Sequence, residues 1–313
     1  MVGFLHPSGQ PLDLKLIILD KDGTLVDFCR TWLPGFKECA AKTAEAAGEP
    51  NLEPALLKAG GWVDEDPPRV TQEGLFLHAP LPEIAQAWID TQPLVAQRFE
   101  SASELTALME EVLKPATVRD VTPLGPVEET LQALKSGGLK LAVVTNDQEQ
   151  LARKQLERLG WIDLFDAGII GADSGHGPKP EPGGVRAAIE AAGVEPSQAI
   201  MIGDAEGDMT SGRRAGCAFT VAIWPEGKPL PAGLASAACR MADLGHLPDA
   251  LAAAGWKARS DVDALATAAE GLALEEEDGR EKAAVAAAAA TAATAAAAAV
   301  DSEVVGVVEA MTS

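Results

Sequence analysis

Tyrosine is absent from this 313-residue sequence, and aromatic residues make up only 4% of it. Chemistry that depends on a phenolic hydroxyl is therefore excluded. Cysteine is scarce, with four residues at positions 29, 39, 217 and 239. None forms a Cys-x-x-Cys pair, so neither a zinc site nor a disulfide framework is indicated, and free thiols in a reducing compartment are expected. Basic residues are outnumbered, 25 Lys and Arg against 47 Asp and Glu, for a formal net charge of −22. With no long basic cluster to oppose it, that balance argues against nucleic acid as a partner. Residues 1–10 lack the charged and apolar stretches of a secretory signal and the arginines of a transit peptide, which predicts a cytoplasmic protein. The alanine-dominated run at 283–299 has nearly the length of a membrane span, but alanine and threonine give it too little hydrophobicity, so no membrane partner is expected.

Apolar residues make up 47% of the chain, enough for a substantial core in one large or two moderate domains. The most informative stretch is the apolar run 14–19 followed by Asp20-Lys-Asp-Gly-Thr24. A Gly-containing turn here carries two carboxylates out of the end of a buried strand. Side chains two apart on an extended chain point the same way, so Asp20 and Asp22 can face one site. One can attack phosphorus while the other moves a proton. The same residues also suit an acidic turn that caps a helix. Three later apolar runs end likewise in polar groups. The run 139–144 leads into Thr145-Asn146-Asp147, the run 167–170 into a Gly-rich loop and Lys179-Pro180, and the run 199–202 into Gly203-Asp204-Ala-Glu-Gly-Asp208. In an open parallel sheet, ligands bind beyond the carboxyl ends of the strands, where these clusters would meet. Taken singly, Lys179 also reads as a solvated loop lysine and Thr145 as a β-branched strand end. Asp204 and Asp208 also read as a helix cap and a first-turn acid.

In this order the four clusters resemble the haloacid dehalogenase superfamily, over about residues 12–250. Within it the stretches Val143-Val-Thr-Asn146 and Ile202-Gly-Asp204 are most similar to phosphoglycolate phosphatase-like hydrolases. The resemblance implies an α/β fold with a Rossmann-like, doubly wound parallel-sheet core, a magnesium ion and a phosphoaspartyl intermediate. It implies Asp20 as nucleophile and metal ligand, and Asp22 as the proton donor and acceptor, with its backbone carbonyl also on the metal. Thr145 and the Asn146 amide would hold the phosphoryl group, with Thr24 beside them. Lys179 would offset charge, Asp204 would bind the metal directly, and Asp208 would be either a ligand or an acceptor for a metal-bound water. The bare chemistry agrees, because a carboxylate attacking an anionic phosphate ester needs a divalent ion to neutralise and align it. Magnesium prefers oxygen ligands and needs only one or two carboxylates.

Residues 1–27 and 123–252 alternate strand and helix patterns, the arrangement of the core. Residues 28–122 contain no clear period-2 strand and many helix formers, at 36–47, 52–59, 81–88 and 102–113. They read as an inserted α-helical cap that closes over the site and selects a small substrate. Arg30, Trp32, Arg69 and His78 are its candidate donors to an anionic substrate, with Arg30 the first choice for substrate binding. Against this, Arg30 and Arg69 also read as solvated, Trp32 as core and His78 as structural. Trp62, Trp88 and Trp161 read as packing residues. From 257 to 313 the sequence becomes a low-complexity, Ala- and Glu-rich tail, read as a partly helical extension. The expected activity is magnesium-dependent hydrolysis of a small phosphorylated metabolite by a monomer or homodimer. A phosphomutase of the same fold is the alternative, and a noncatalytic interaction protein a third reading.

Overall fold

The computed structural model describes residues 13–254, except residue 72, together with residue 256. The tail at 257–313 and the helical extension read there lie outside the described residues. The apolar run preceding Asp20 forms β1 (Leu16–Leu19), buried at every position. The chain then makes α1 (Phe28–Ala46), α2 (Glu53–Ala59), a ribbon of β2 (Trp62–Val63) and β3 (Arg69–Val70), and α3 (Leu75–His78). Next come α4 (Leu81–Thr91), α5 (Pro93–Arg98), α6 (Ala102–Arg119) and α7 (Val127–Ser136). There follow β4 (Lys140–Val144), α8 (Glu149–Arg158), β5 (Ile169–Ile170), α9 (Gly183–Ala192) and β6 (Ala199–Gly203). The last described elements are α10 (Glu206–Ala215), β7 (Phe219–Ile223), β8 (Cys239–Met241) and α11 (Leu247–Ala253).

Six strands form one parallel sheet in the order β5-β4-β1-β6-β7-β8. Its alternating faces account for the apolar runs. Ile17, Leu19, Leu141, Val143, Ile200 and Ile202 pack on one side with Leu131, Leu134, Leu156 and Leu251. Leu16, Ile18, Ala142, Val144 and Met201 pack on the other with Val185, Ala188, Ile189 and Ala215. A sheet covered on both faces needs strands that are apolar at every position, which hides the usual period of two. This is the Rossmann-like, doubly wound core expected from the sequence. The chain runs from β1 to β4 and β5, then crosses to β6 on the far side of β1. The crevice at that reversal lies beyond the carboxyl ends of β1, β4 and β6.

The insertion is mostly helical and has its own core of Leu33, Phe36, Leu56, Trp88, Leu105 and Met109. Phe36 stacks on Phe76 with ring centroids 4.2 Å apart, and Phe76 meets Trp88 edge-on. The segments entering and leaving the insertion run side by side. Asp27 N–H donates to the Thr122 carbonyl and Leu124 N–H to that of Leu25, each at 2.9 Å.

Three local expectations are corrected. Helix α1 starts at Phe28 rather than 36, because the Asp27 carboxylate caps it through the Arg30 amide and Pro34 sits inside the helix without ending it. Helix α6 likewise runs past Pro115 to Arg119 rather than stopping near 113. The insertion also holds the β2–β3 ribbon, whose strands of two residues are too short to show a period. Trp88 and Trp161 are buried, as expected of packing residues. All four cysteines are free, and burial pushes Cys39 and Cys217 up to about 12. Among the described residues, no helix is long and apolar enough to cross a membrane.

Candidate active site

Asp20 continues the β1 ladder by one residue, its N–H donating to the Ile202 carbonyl of β6 at 2.8 Å. The chain then folds back, with the Lys21 carbonyl accepting from the amides of Leu25 (2.8 Å) and Val26 (3.0 Å). Gly23 is needed there on two counts. Its φ of 76° is left-handed, and a Cβ at this position would overlap the Asp204 carboxylate arriving from β6. Asp204 and Asp208 reach the same point from the end of β6 and the first turn of α10.

Carboxylate oxygens of Asp20, Asp204 and Asp208 lie within 4.8 Å of one another. The buried Lys179 ammonium bridges two of them, at 2.6 Å from Asp20 Oδ1 and 2.5 Å from Asp208 Oδ1. The other oxygen of Asp208 accepts the Ala205 N–H at 3.0 Å, so this residue also caps its helix. One side chain thus both caps α10 and belongs to the acidic cluster. Asn146 holds the lysine loop in register. Its Oδ1 accepts the Lys179 N–H at 2.7 Å, and its Nδ2 donates to the Lys179 carbonyl at 3.0 Å. Thr145 is buried at the end of β4, where its hydroxyl accepts the Asp147 N–H at 3.1 Å. Thr24 is fully enclosed, and its hydroxyl has no hydrogen-bond partner among the described residues.

One ammonium does not balance this cluster. Burial raises the Asp20 carboxyl to about 7, with the neighbouring Asp208 and Asp22 charges adding to it and Lys179 opposing. Burial, then Asp20 and Asp208, hold Asp204 well above the ordinary carboxylate range. Burial pulls Lys179 down, but Asp20 and Asp208 outweigh it and keep the ammonium charged. Two carboxylates ~4 Å apart repel by ~4 kcal/mol at an effective dielectric of ~20. Among the described residues, no hydrogen-bond donor reaches the Asp204 carboxylate. A set made only of carboxylate oxygens, with surplus negative charge, fits a hard divalent cation such as magnesium.

Asp22 stands apart from that cluster. Its Oδ2 is 2.6 Å from the Lys21 ammonium, and its Oδ1 accepts the Trp32 indole N–H at 2.7 Å. Lys21 is fully buried, and it also pairs with Asp147 at 3.3 Å and donates to Gln155 Oε1 at 2.6 Å. Burial lowers Lys21, but Asp22 and Asp147 outweigh it and keep it charged. Among the candidate residues in the insertion, Trp32 touches the turn that carries Asp20 and Asp22. Arg30 is exposed and pairs with Asp27 at 3.7 Å, and Arg69 is exposed and pairs with Glu65. Sequence reasoning missed Lys21, Asp147 and Gln155. The available signal was a lysine set between two aspartates at the mouth of a buried strand, where it had no polar surface to reach.

A family model described as haloacid dehalogenase-like hydrolase matches residues 14–216. A phosphoglycolate phosphatase of Aquifex aeolicus is 41% identical over 102 residues, 33% of this chain and 47% of that protein. One from Xylella fastidiosa is 32% identical over 213 residues, 67% of this chain and 80% of its own length. A crystal structure described as a predicted phosphoglycolate phosphatase from Haemophilus somnus superposes with a TM-score of 0.56 at 21% identity, covering 77% of this chain and 99% of the other. At that identity the structural likeness speaks for the fold alone.

Proposed function

The chain belongs to the haloacid dehalogenase-like hydrolase family, and we propose that it is a magnesium-dependent phosphomonoesterase acting on a small phosphorylated metabolite. The observation that carries this reading is the Asp20–Lys179–Asp208 bridge with Asp204 against it, one turn from a second aspartate held outside the cluster. Similarity to phosphoglycolate phosphatases supports phosphate-ester hydrolysis by this chain.

Asp20 is the nucleophile. Its carboxylate oxygen forms a bond to phosphorus as the bond from phosphorus to the ester oxygen breaks, leaving an aspartyl phosphate. Asp22 gives a proton to the departing oxygen. The resulting carboxylate then takes a proton from the water that attacks the same phosphorus, releasing phosphate and restoring Asp20. Lys179 offsets the charge shared between Asp20 and the phosphoryl oxygens. Thr145 and the backbone amide of Asn146 face the phosphoryl group, and the Asn146 side chain keeps Lys179 in place. Asp20, Asp204, Asp208 and the Asp22 carbonyl would hold magnesium, which supplies charge neutralisation and alignment. Thr24, being enclosed, supports the turn rather than the substrate. Residues 28–122 act as a cap that restricts the substrate to small molecules, and the net charge of −22 disfavours polyanions.

The test is phosphate release over a panel of phosphometabolites with magnesium, with Asp20→Asn run beside the wild type. Asp20→Asn should remove turnover while the circular dichroism spectrum stays unchanged. Near-native release by that variant would defeat the covalent mechanism. An isomerised phosphate with no free phosphate would move the assignment to a phosphomutase.

A further inference from the structure

The carboxylate assigned to proton transfer is held from both sides by groups with no part in the phosphoryl chemistry. Lys21 approaches Asp22 Oδ2 from the core, while the Trp32 indole on α1 donates to Oδ1 from the insertion. The lysine is itself fixed. Gln155 of α8 accepts from its ammonium at 2.6 Å and passes a second hydrogen bond from Nε2 to the Thr117 carbonyl of α6 at 3.2 Å. Asp147, two residues beyond Thr145, supplies the second carboxylate. A continuous path therefore runs from α6 through Gln155, Lys21, Asp22 and Trp32 to α1. It joins the two long helices of the insertion to the carboxylate.

Packing does not explain the choice of lysine. The side chain has no exposed surface, and its ammonium must be desolvated together with its partners. An apolar side chain of similar volume would often be as stable or more so. What an ammonium adds is a fixed donor to one chosen oxygen of Asp22. With each oxygen committed to a different donor, the carboxyl plane is set and the carboxylate is not free to rotate. That matters for a group that must present one oxygen first to a leaving oxygen and then to a water, since misplacement by about 1 Å can cost a factor of about 100 in rate.

We infer that Lys21 is a positioning residue that orients the Asp22 carboxylate for proton transfer and ties that orientation to the insertion through Gln155 and α6. The inference rests on the assignment of Asp22 to proton transfer. It commits to a kinetic signature. Attack by Asp20 on an aryl phosphate with an acidic phenol needs no proton from Asp22, whereas cleavage of an alkyl phosphate does. Hydrolysis of the phosphoenzyme needs Asp22 as a base in both cases.

The experiment compares wild type, Lys21→Met, Lys21→Met with Asp147→Asn, Gln155→Met, Asp22→Asn and Asp20→Asn, all as full chains with magnesium. In Lys21→Met, kcat on the best alkyl phosphate should fall by about 10- to 100-fold, part of the ~10²–10⁴ that acid–base catalysis contributes, with KM little changed. With the aryl phosphate, rapid-quench kinetics should show about one equivalent of phenol released at near wild-type rate, followed by slow turnover. A merely structural lysine would lower the burst and the steady state together. If Lys21→Met misfolds because Asp147 is left buried and unpaired, the double variant removes the surplus charge and carries the same expectation. Gln155→Met leaves every charge in place and should show a milder form of the same pattern. Equal burst and steady-state losses, or kcat within about twofold of wild type on both esters, would overturn the inference. Activity retained by Asp20→Asn would instead refute the covalent phosphatase reading and leave a separate mark.

Discussion

Asn146 commits both ends of its side-chain amide to the backbone of Lys179, and so determines where the ammonium between Asp20 and Asp208 can stand. Asn146→Ala should cost about 1–3 kcal/mol in a denaturant melt, the net worth of two partly buried hydrogen bonds. It should lower kcat more than it raises KM. Asp20 makes a second prediction at this scale. A carboxyl whose folded pKa is raised stabilises the fold fully below its unfolded pKa of ~3.9, and that benefit is lost as pH rises through the folded value. For Asp20 the upper edge is about 7. Without divalent ions, thermal stability should therefore fall between about pH 5 and 7.5 if this cluster dominates, and magnesium should restore it more strongly at pH 7.5, where protons no longer compete. A thermal-shift titration at the two pH values checks this without reference to turnover. An equal magnesium shift at both would count against the cluster as the metal site. Asp20, Thr145 and Asp204 were legible because each stands at or next to the end of a short apolar run, and Lys179 and Asp208 because they follow such runs within one loop or one helical turn. Lys21 was not, because its hydrogen-bond partner Gln155 lies 134 positions away and only the fold brings them together.

Helices α1 and α6 form the spine of the insertion, and Gly35 lets them approach. A Cβ there would lie 2.7 Å from Leu113 Cδ1 and 3.1 Å from the Ala116 Cβ. Elsewhere in a helix, Gly→Ala gains roughly 0.5–1 kcal/mol. Here Gly35→Ala must displace the Leu113 side chain, which offsets that gain, and Gly35→Val should cost about 1–3 kcal/mol as an overpacked contact. Urea unfolding of the two variants decides the matter, since a stabilised Gly35→Val would mean that the helices part without penalty. The core elements were legible from alternation of apolar runs with helix formers and from glycine pairs such as Gly137-Gly138. Both long helices of the insertion were read too short for one reason. Pro34 and Pro115 look like terminators, but packing against a partner helix outweighs the lost hydrogen bond.

At the scale of the molecule, Trp256 lies against the end of α7, where a Cβ at Gly137 would be 2.5 Å from its ring. Cutting the chain after Trp256 retains that contact and removes only alanine-rich sequence, which offers little apolar area per residue. The truncated protein should keep its catalytic constants within a few-fold and most of its stability. Loss of soluble protein would show that the removed segment docks. The paired strands of chain at Asp27 and Thr122 carry a different consequence. The whole excursion from α1 to α6 leaves and returns through points one hydrogen bond apart, while β1 and β4 stay neighbours in the sheet beneath it. Topologically the insertion is a closed detour. It can be exchanged as a cassette, or bridged by a short turn, without asking any strand of the sheet to move. If the insertion selects the substrate as proposed, selectivity is rewritten in one block, while Asp20, Lys179, Asp204 and Asp208 stay with the sheet. Asp22, through Trp32 on one side and through Lys21, Gln155 and the Thr117 carbonyl on the other, would register the change.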